Sequence, residues 1–280
     1  MKLTVLGSGT AAPRINRNMS GYLFEASNQK ILFDSGPGTI RQLLELKINL
    51  SDIDDIFYTH LHNDHINDLP AIIWSNNYGT YRKKELNVYG PKGFKRYFNI
   101  LMKKILNPAK LIYKINANEI KNNSIIKIPI INKTNEKYSI TSKSNKILFN
   151  KDYNKKNINL MKNNIMIISI KSKHTKNSVS YRIEHNNKSI VYSGDTDYST
   201  EIIKISKNAD LLILECSFPY KKEGHLTPRL CGKIATKANA KKLILTHFYP
   251  ECDLIDVKKQ CSKEYKGKVV LAEDFMEVNL

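Results

Sequence analysis

Residues 59–65 read THLHNDH, and the interpretation of the whole chain depends on them. The stretch holds three of the seven histidines of the protein, with an aspartate before the third. It follows a short apolar run, DIFYTH, and leads into HINDLPAIIWSNNYG, which has helical spacing. A turn at the C-terminal end of a strand can point alternate side chains into one cleft. Imidazole and carboxylate groups placed there suit Zn²⁺ and its neighbours.

Four such groups on one short loop do not close two metal shells, so a metal site requires ligands from elsewhere. Three candidates follow apolar runs far downstream: His174 after NIMIISIKSK, Asp195 after SIVYSG and His247 after KKLILT. Asp34 ends another run, KILFDSG, beside a glycine-rich turn. Each position alone is typical of a hydrogen-bonded turn residue. Their repeated occurrence at strand ends favours one shared polar site.

The order of the elements predicts an α/β fold made of two similar halves. Apolar runs bounded by Gly, Asn or Asp come first, as in KLTVLG, GYLFEA and KILFDSG, and segments with helical spacing follow. The second half repeats this order from NIMIISIKSK onward. Two such halves are expected to pack their sheets face to face with helices outside. Helices are predicted over 65–79, 91–106 and 227–239, and near 199–206 and 253–263.

The length of 280 residues is compatible with one large domain, and we predict a single domain over 1–280. Within it, the segment at about 107–165 holds twelve lysines and three acidic residues, and loops and short hairpins are expected there. The formal charge of the chain is +19. This charge permits a polyanionic partner, since clustered Lys and Arg neutralise phosphates. The joint abundance of Lys, Asn and Ile also fits a genome composition bias, so the charge alone does not identify a partner.

Several classes of protein are excluded by composition. No stretch approaches the roughly 18 consecutive apolar residues of a membrane span. The first residues, MKLTVLGSGT, lack the apolar region of a signal peptide. The four cysteines form no CxxC pair and suit a reducing compartment. We therefore expect a cytoplasmic protein that does not associate with membranes.

The combined pattern resembles the metallo-β-lactamase fold superfamily, and within it the ribonuclease Z-like metal-dependent hydrolases. The HxHxDH block with a downstream His, Asp and His is specific for the superfamily. The segments RNMSGYLFE and GHLTP…LTHF narrow the resemblance to the branch. The resemblance covers nearly the whole chain and also includes LGSGTAAPRI, FDSGPGT, YSGDTDY and KKLILTHFYP. It implies a four-layer αβ/βα sandwich with a dinuclear metal centre.

The same resemblance implies a role for each candidate residue. One ion is held by His60, His62 and His174, the other by Asp64, His65 and His247, and Asp195 bridges both together with a water or hydroxide. Asp34 lies behind the ligands and orients a ligand imidazole through its other N–H. His225, in GHLTP, sits beside the scissile phosphate. The expected cofactor is two divalent ions, Zn²⁺ in the first place, although Mn or Fe fits the same ligands.

The chemistry expected of these groups is hydrolysis. Two cations lower the pKa of a shared water and neutralise the charge that builds on a phosphoryl oxygen. His225 as an imidazolium donates a proton to the leaving oxygen or binds the developing charge. Asp64, besides its place among the ligands, orients the nucleophile.

Three functional classes stay open at this stage. The first, which we favour, is a phosphodiesterase that acts on precursor tRNA, as in ribonuclease Z proper, or on small phosphodiesters such as cyclic nucleotides. The second is a hydrolase of thioesters or lactams. The third is a non-catalytic or redox protein, for which extra carboxylate ligands would be expected in place of this histidine-rich set.

The interval between His174 and Asp195 bears on the substrate. Ribonuclease Z carries a long tRNA-gripping arm there, whereas the two residues are 21 positions apart in this chain. The interval is too short for such an arm, which argues against tRNA processing. The segment HNDHINDLP also resembles relatives that act on small substrates more than ribonuclease Z itself. Dimers are common among these relatives, so a homodimer is a further expectation.

Overall fold

The computed structural model describes residues 1–108, 110–130, 139–141 and 164–280. Much of the basic segment predicted at about 107–165 lies outside the described residues. Within its described part, one strand joins the first sheet and two join the second, so the chain passes from one sheet to the other here. Among the described residues, no helix is both long and apolar enough to span a membrane.

The first sheet is mixed, and its strand order is β15-β1-β2-β3-β4-β5-β6 once the strands are numbered along the chain. Strands β1 to β3 pair antiparallel, and β3 to β6 pair parallel. The last strand returns to pair antiparallel with the first, Lys2 opposite Asn279. The seven strands are β1 (Lys2–Gly7), β2 (Gly21–Ala26), β3 (Gln29–Ser35), β4 (Asp55–Phe57), β5 (Leu86–Gly90), β6 (Ile115–Glu119) and β15 (Glu277–Asn279).

The second sheet has eight strands in the order β14-β13-β12-β11-β10-β9-β7-β8. One side of it is a parallel run from β11 to the edge strand β14, and the remaining strands pair antiparallel. The strands are β7 (Ile125–Pro129), β8 (Ser139–Thr141), β9 (Asn164–Lys171), β10 (Val179–His185), β11 (Lys188–Tyr192), β12 (Leu211–Glu215), β13 (Lys242–Thr246) and β14 (Lys268–Leu271).

The α-helices fall near the positions that the sequence predicts, with four differences. The helix over Thr39–Glu45 was not predicted, and the helix expected over 65–79 is divided into Asn63–Ile66 and Leu69–Tyr78. The helix expected over 91–106 is α-helical only over Phe94–Ile100 and continues as a π-helix over Leu101–Leu106. The helix expected near 253–263 is split into a 3₁₀ turn over Pro250–Leu254 and a separate helix that begins after Asp256, whose side chain accepts from the Lys259 backbone N–H and caps it. The helices are α1 (Thr39–Glu45), α2 (Asn63–Ile66), α3 (Leu69–Tyr78), α4 (Phe94–Ile100), α5 (Thr200–Ile205), α6 (Pro228–Ala238) and α7 (Val257–Ser262).

Three apolar layers hold the elements together and confirm the four-layer αβ/βα sandwich. The central layer lies between the two sheets and contains Phe33 and Phe57 of the first sheet packed on Tyr181 of the second. A second layer packs α1, α3 and α4 on the outer face of the first sheet. The third packs α5, α6 and α7 on the outer face of the second sheet. Both sheets are therefore buried on two faces, which explains their nearly continuous apolar sequences.

Asp55, at the amino end of β4, is a buried carboxyl group that affects stability. Burial raises its pKa to about 7, and a hydrogen bond of 3.1 Å from the Asn87 amide opposes this shift only in part. Its second oxygen has no hydrogen-bond partner among the described residues. The folded protein therefore holds the Asp55 proton more tightly than the unfolded chain does. The stability that this proton confers is complete below about pH 4 and is lost as the pH rises to about 7.

We expect Asp55→Asn to raise the free energy of unfolding at pH 8 by a few kcal/mol, because the amide stays neutral where the carboxylate would be charged and desolvated. The difference between variant and wild type should shrink toward pH 4. Urea unfolding of the metal-free proteins, followed by circular dichroism at pH 4, 6 and 8, measures it. Glu45→Gln is the control, since that exposed carboxylate pairs with Arg41 and is not among the groups that shift the pKa of Asp55. A variant no more stable than wild type at pH 8 would contradict this account.

Candidate metal centre

The sequence-predicted ligands all come together at the carboxyl ends of the strands. They form two groups, and within each group the potential ligand atoms lie within 4.8 Å of one another. The resemblance implied the same two sets of three residues, with Asp195 between them instead of in the first group. The first group is His60, His62, His174 and Asp195, and the second is Asp64, His65 and His247.

Asp195 stands between the two groups and directs one oxygen at each. Its Oδ2 lies 3.8 Å from His60 Nε2 and 3.6 Å from His174 Nε2. Its Oδ1 lies 3.3 Å from His65 Nε2 and 3.2 Å from His247 Nε2. A carboxylate so placed has the geometry of a bridging ligand.

The spacing and the unpaired atoms fit divalent ions. Two ligands that each lie about 2.0–2.1 Å from a tetrahedral ion are themselves about 3.3 Å apart. The 3.2 Å between His62 Nδ1 and His174 Nε2 is close to that value, as are the 3.3 and 3.2 Å from Asp195 Oδ1 to His65 and His247. Among the described residues, His60 Nε2, His65 Nε2 and Asp195 Oδ1 are buried without a hydrogen-bond partner. Buried polar atoms are rarely left unpaired, and two cations, one at each group, would satisfy all three.

The protonation of the buried histidines agrees with this reading. Burial, reinforced by the nearby His65, lowers the pKa of His60 well below its ordinary value, so His60 is a neutral imidazole that is ready to bind a metal. Burial also lowers the pKa of His65, but the carboxylates of Asp195 and Asp34 outweigh it and raise this pKa well above the usual range. The negative charges of Asp195 and Asp34 thus favour a positive charge at the second group, and a divalent ion would supply it.

Asp34 lies behind the second group of candidate ligands. Its Oδ2 accepts from His65 Nδ1 at 2.8 Å, which directs the other ring nitrogen, Nε2, at Asp195. The same carboxylate accepts from the Thr59 backbone N–H and hydroxyl and from the Tyr192 hydroxyl, at 2.7–2.8 Å. Because the Thr59 hydroxyl donates to Asp34, it accepts from His60 Nδ1 at 3.0 Å. Asp34 therefore orients one imidazole directly and another through Thr59.

Two further imidazoles are oriented through Nδ1 in the same way. His174 Nδ1 donates to the Gly224 carbonyl at 3.1 Å, and His247 Nδ1 lies 2.9 Å from the Ser20 hydroxyl. Gly224 has a left-handed φ of 80°, and a Cβ there would come within 3.0 Å of His174 Nδ1. Fixed ring orientation of this kind raises the affinity of histidine for a metal.

The loop that carries the first four candidates needs a close approach from a glycine. A Cβ on Gly36 would lie 2.1 Å from the Asp64 carbonyl oxygen, so only glycine lets the turn after β3 pack on this loop. His62 then precedes α2, and Asp64 and His65 lie within its single turn. His62 is exposed while His60 and His65 are buried, so the centre opens to solvent on the His62 side.

His225 is brought to the edge of the first group, with its ring 4.8 Å from that of His174. Its Nδ1 donates to Glu215 Oε1 at 2.9 Å. Burial lowers the pKa of His225, but the hydrogen bond and the charge of Glu215 outweigh burial and raise the pKa above its ordinary value. His225 is therefore suited to hold a proton beside the centre.

Glu215 is a functional candidate that the sequence analysis missed. It is 1% exposed, and its carboxylate also accepts from the Thr196 N–H and from the backbone and hydroxyl of Ser217. It ends β12 in the run DLLILECSF. An acidic residue that closes an apolar strand is the same signal that identified Asp34 and Asp195, so the pattern could have found it.

Comparison with known proteins agrees with the fold. The ribonuclease Z of Brevibacillus brevis is 30% identical to this chain, over 89% of the chain and 86% of the relative. Two solved structures share the fold. The metallo-β-lactamase fold protein YhfI from Bacillus subtilis has a TM-score of 0.74 at 23% identity and covers 99% of this chain and 98% of that protein. The short form of human tRNase Z has a TM-score of 0.72 at 24% identity and covers 100% and 99%.

Fold, centre and relatives together define the class: this is a metallo-β-lactamase fold, ribonuclease Z-like metal-dependent hydrolase of the phosphodiesterase and endoribonuclease type. A family model described as anti-Pycsar protein Apyc1 matches residues 1–265. The chain belongs to this anti-Pycsar protein Apyc1 family. The sequence-based predictions of superfamily, branch and hydrolytic class are confirmed.

We expect Asp34→Asn to lower divalent metal affinity about 10- to 100-fold, because the amide no longer holds His65 with a charge. The fold should survive, since the residue has φ 54° and asparagine tolerates this left-handed region. Competition with a chelating dye measures zinc affinity, and circular dichroism reports the fold. The control is Glu85→Gln, on the exposed edge of the first sheet. Unchanged affinity in Asp34→Asn would show that Asp34 does not orient a ligand.

Proposed function

We propose that this protein hydrolyses small phosphodiesters, with cyclic nucleotides as the representative class, and that it uses two divalent ions, Zn²⁺ in the first place. The ligand roles are those assigned above: three histidines for one ion, Asp64 and two histidines for the other, and Asp195 between them. Five imidazoles and two carboxylates form a set that suits zinc. A cytoplasmic location and a homodimer stay predictions from the sequence.

The observation that carries the proposal is the short connection between His174 and Asp195. All residues of this interval are described, and they form the β10–β11 hairpin. Its turn is two residues long, Asn186 and Asn187, both with φ near +50° as in the tight turns of β-hairpins. The interval thus has no room for the tRNA-gripping arm that ribonuclease Z carries at this place. This supports a substrate that is bound within the cleft itself.

Each side chain contributes a definable part of the reaction. The bound ions would lower the pKa of a shared water and offset charge on the phosphoryl oxygens. Asp64, whose Oδ2 lies 3.7–3.8 Å from His65 and His247, accepts a hydrogen bond from the attacking water and orients it. His225, held by Glu215, donates a proton to the leaving oxygen. Because Glu215 is buried and anchored by backbone N–H groups, the imidazole keeps its direction while it transfers the proton.

Processing of the tRNA 3′ end is the second candidate. The ribonuclease Z of Brevibacillus brevis matches most of this chain, and the charge of +19 would favour a polyanionic substrate. Under this alternative, the grip on tRNA would come from a surface other than the β10–β11 hairpin.

Paired assays of zinc-loaded protein separate the two candidates. One follows hydrolysis of 3′,5′-cyclic nucleotides, and the other follows cleavage of a 3′-extended precursor tRNA. We expect rapid hydrolysis of the cyclic nucleotides and little or no cleavage of the tRNA. Preferential cleavage of the tRNA would favour the second candidate, and inactivity on both with a full metal complement would refute a phosphodiesterase function.

We expect His225→Ala to reduce kcat about 10²- to 10⁴-fold, the usual contribution of a positioned general acid, and to leave the metal content unchanged. Metal analysis of the purified variant, together with steady-state kinetics, makes both measurements. Glu215→Gln should give a smaller loss of the same kind, and the double variant should be little worse than His225→Ala. Loss of metal from His225→Ala would assign this histidine to the ligands instead.

A further inference from the structure

A group of side chains next to the metal centre has no part in the mechanism above. It consists of Phe218, Tyr220 and Lys222 on the loop after β12, and Tyr249 after β13, and we refer to it as the aromatic wall. Phe218 and Tyr249 stack with ring centroids 4.4 Å apart and planes 19° apart. The ring centroid of Tyr220 lies 5.7 Å from that of Phe218, and Lys222 Nζ lies 4.2 Å from the centre of the Phe218 ring.

The aromatic wall reaches both parts of the metal centre. Phe218 meets the ring of His225 edge-on at 5.5 Å, and Tyr249 meets the ring of His247 edge-on at 6.4 Å. The two strands that carry the wall are tied together, since the Tyr249 N–H donates to the Ser217 carbonyl at 3.2 Å. The stacked pair therefore has a fixed position between the proton donor and the second group of ligands.

Its exposure differs from that of a simple packing cluster. Phe218 is 2% exposed, but Tyr249 is only partly buried and Tyr220 is 54% exposed. Burial, and to a lesser degree the charges of Asp64 and Asp195, raise the pKa of the Tyr249 phenol to about 12, so the side chain is neutral beside the centre. In the wall, the buried ring of Phe218 thus supports the accessible rings of Tyr249 and Tyr220, beside the place where a phosphate would bind.

A flat, partly exposed aromatic surface beside a phosphate site has a natural ligand in a nucleobase. Stacking of a base on an aromatic side chain contributes about 1–3 kcal/mol and tolerates every base, since each has a π-face. Lys222 Nζ lies 5.8 Å from the centre of the Tyr249 ring and adds a positive charge beside this surface. A lactam, thioester or simple alkyl phosphate would leave such a surface without a partner.

We propose that the aromatic wall binds the base of a nucleotide substrate by stacking, with Tyr249 as the principal contact. It selects nucleotides over phosphodiesters that lack a base, and it accepts purines and pyrimidines alike. This inference rests on the proposed phosphodiesterase function and adds to it the residue that determines substrate selectivity.

The test compares three cyclic phosphodiesters: 3′,5′-cyclic AMP, 3′,5′-cyclic UMP and the base-free cyclic phosphate of 1,3-propanediol. The quantity is the ratio of kcat/KM for each nucleotide to that for the base-free compound. We expect Tyr249→Leu to lower both ratios about tenfold, mainly through KM of the nucleotides. Tyr249→Phe keeps the ring and should hold each ratio within about threefold of wild type. Tyr78→Leu, an exposed tyrosine on α3, is the matched control and should not change either ratio.

A binding measurement makes the test independent of turnover. In saturation-transfer NMR with the zinc-loaded protein and adenosine 5′-monophosphate, the base protons should receive saturation from wild type and lose most of it in Tyr249→Leu. Wild type that hydrolyses none of the three compounds would refute the proposed function, and the NMR experiment would still decide on the wall. Unchanged ratios and unchanged saturation in Tyr249→Leu would overturn the inference. An equal loss of the ratio in Tyr249→Phe would assign the contact to the hydroxyl group and also overturn stacking.

Discussion

The hydrogen bonds of Asp34 are the interaction on which the rest of the structure depends. This carboxylate is fully buried at the end of β3, where burial without partners would be costly. Four donors offset that cost: the backbone and hydroxyl of Thr59, the imidazole of His65, and the hydroxyl of Tyr192. Tyr192 belongs to the second sheet, whereas Thr59 and His65 follow the first. One side chain therefore joins the two halves of the sandwich and sets the direction of the imidazoles between them.

The hydrogen bonds of Asp34 also fix the direction of the imidazoles in the metal centre. With His65 directed by Asp34 and His60 held through Thr59, both Nε2 atoms face Asp195, which reaches them from the second sheet. The centre thus assembles only when both sheets are packed. Three of its buried polar atoms have no hydrogen-bond partner among the described residues, and divalent ions would satisfy them. A second pair, Glu215 and His225, repeats the arrangement at the rim of the cleft, with a buried carboxylate that orients an imidazole. A buried carboxylate thus orients an imidazole at two places, once among the candidate metal ligands and once at the proton donor.

Much of this could be predicted from the sequence because one signal recurs. His174, Asp195 and His247 each follow a buried strand, and parallel strands bring their carboxyl ends to one edge of a sheet. The same signal at Glu215 was available but needed a partner, His225, ten positions away, to become meaningful. The return of β15 to β1 joins opposite ends of the chain, so no local pattern predicts it. The break between the 3₁₀ turn and α7 depends on the capping side chain of Asp256, which helical spacing alone does not reveal.

The sequence by itself predicted the class of fold and one shared polar site, because strand-end histidines and aspartates are local features with a defined direction, and the resemblance to ribonuclease Z-like hydrolases implied the division of the ligands into two groups. Only the tertiary structure decided which atoms face one another. Tyr192 reaches Asp34 across 158 positions, and Phe218 stacks on Tyr249 beside His247. Contacts of this kind depend on how two sheets pack and on where neighbouring loops end. Residue type and spacing along the chain do not contain that information.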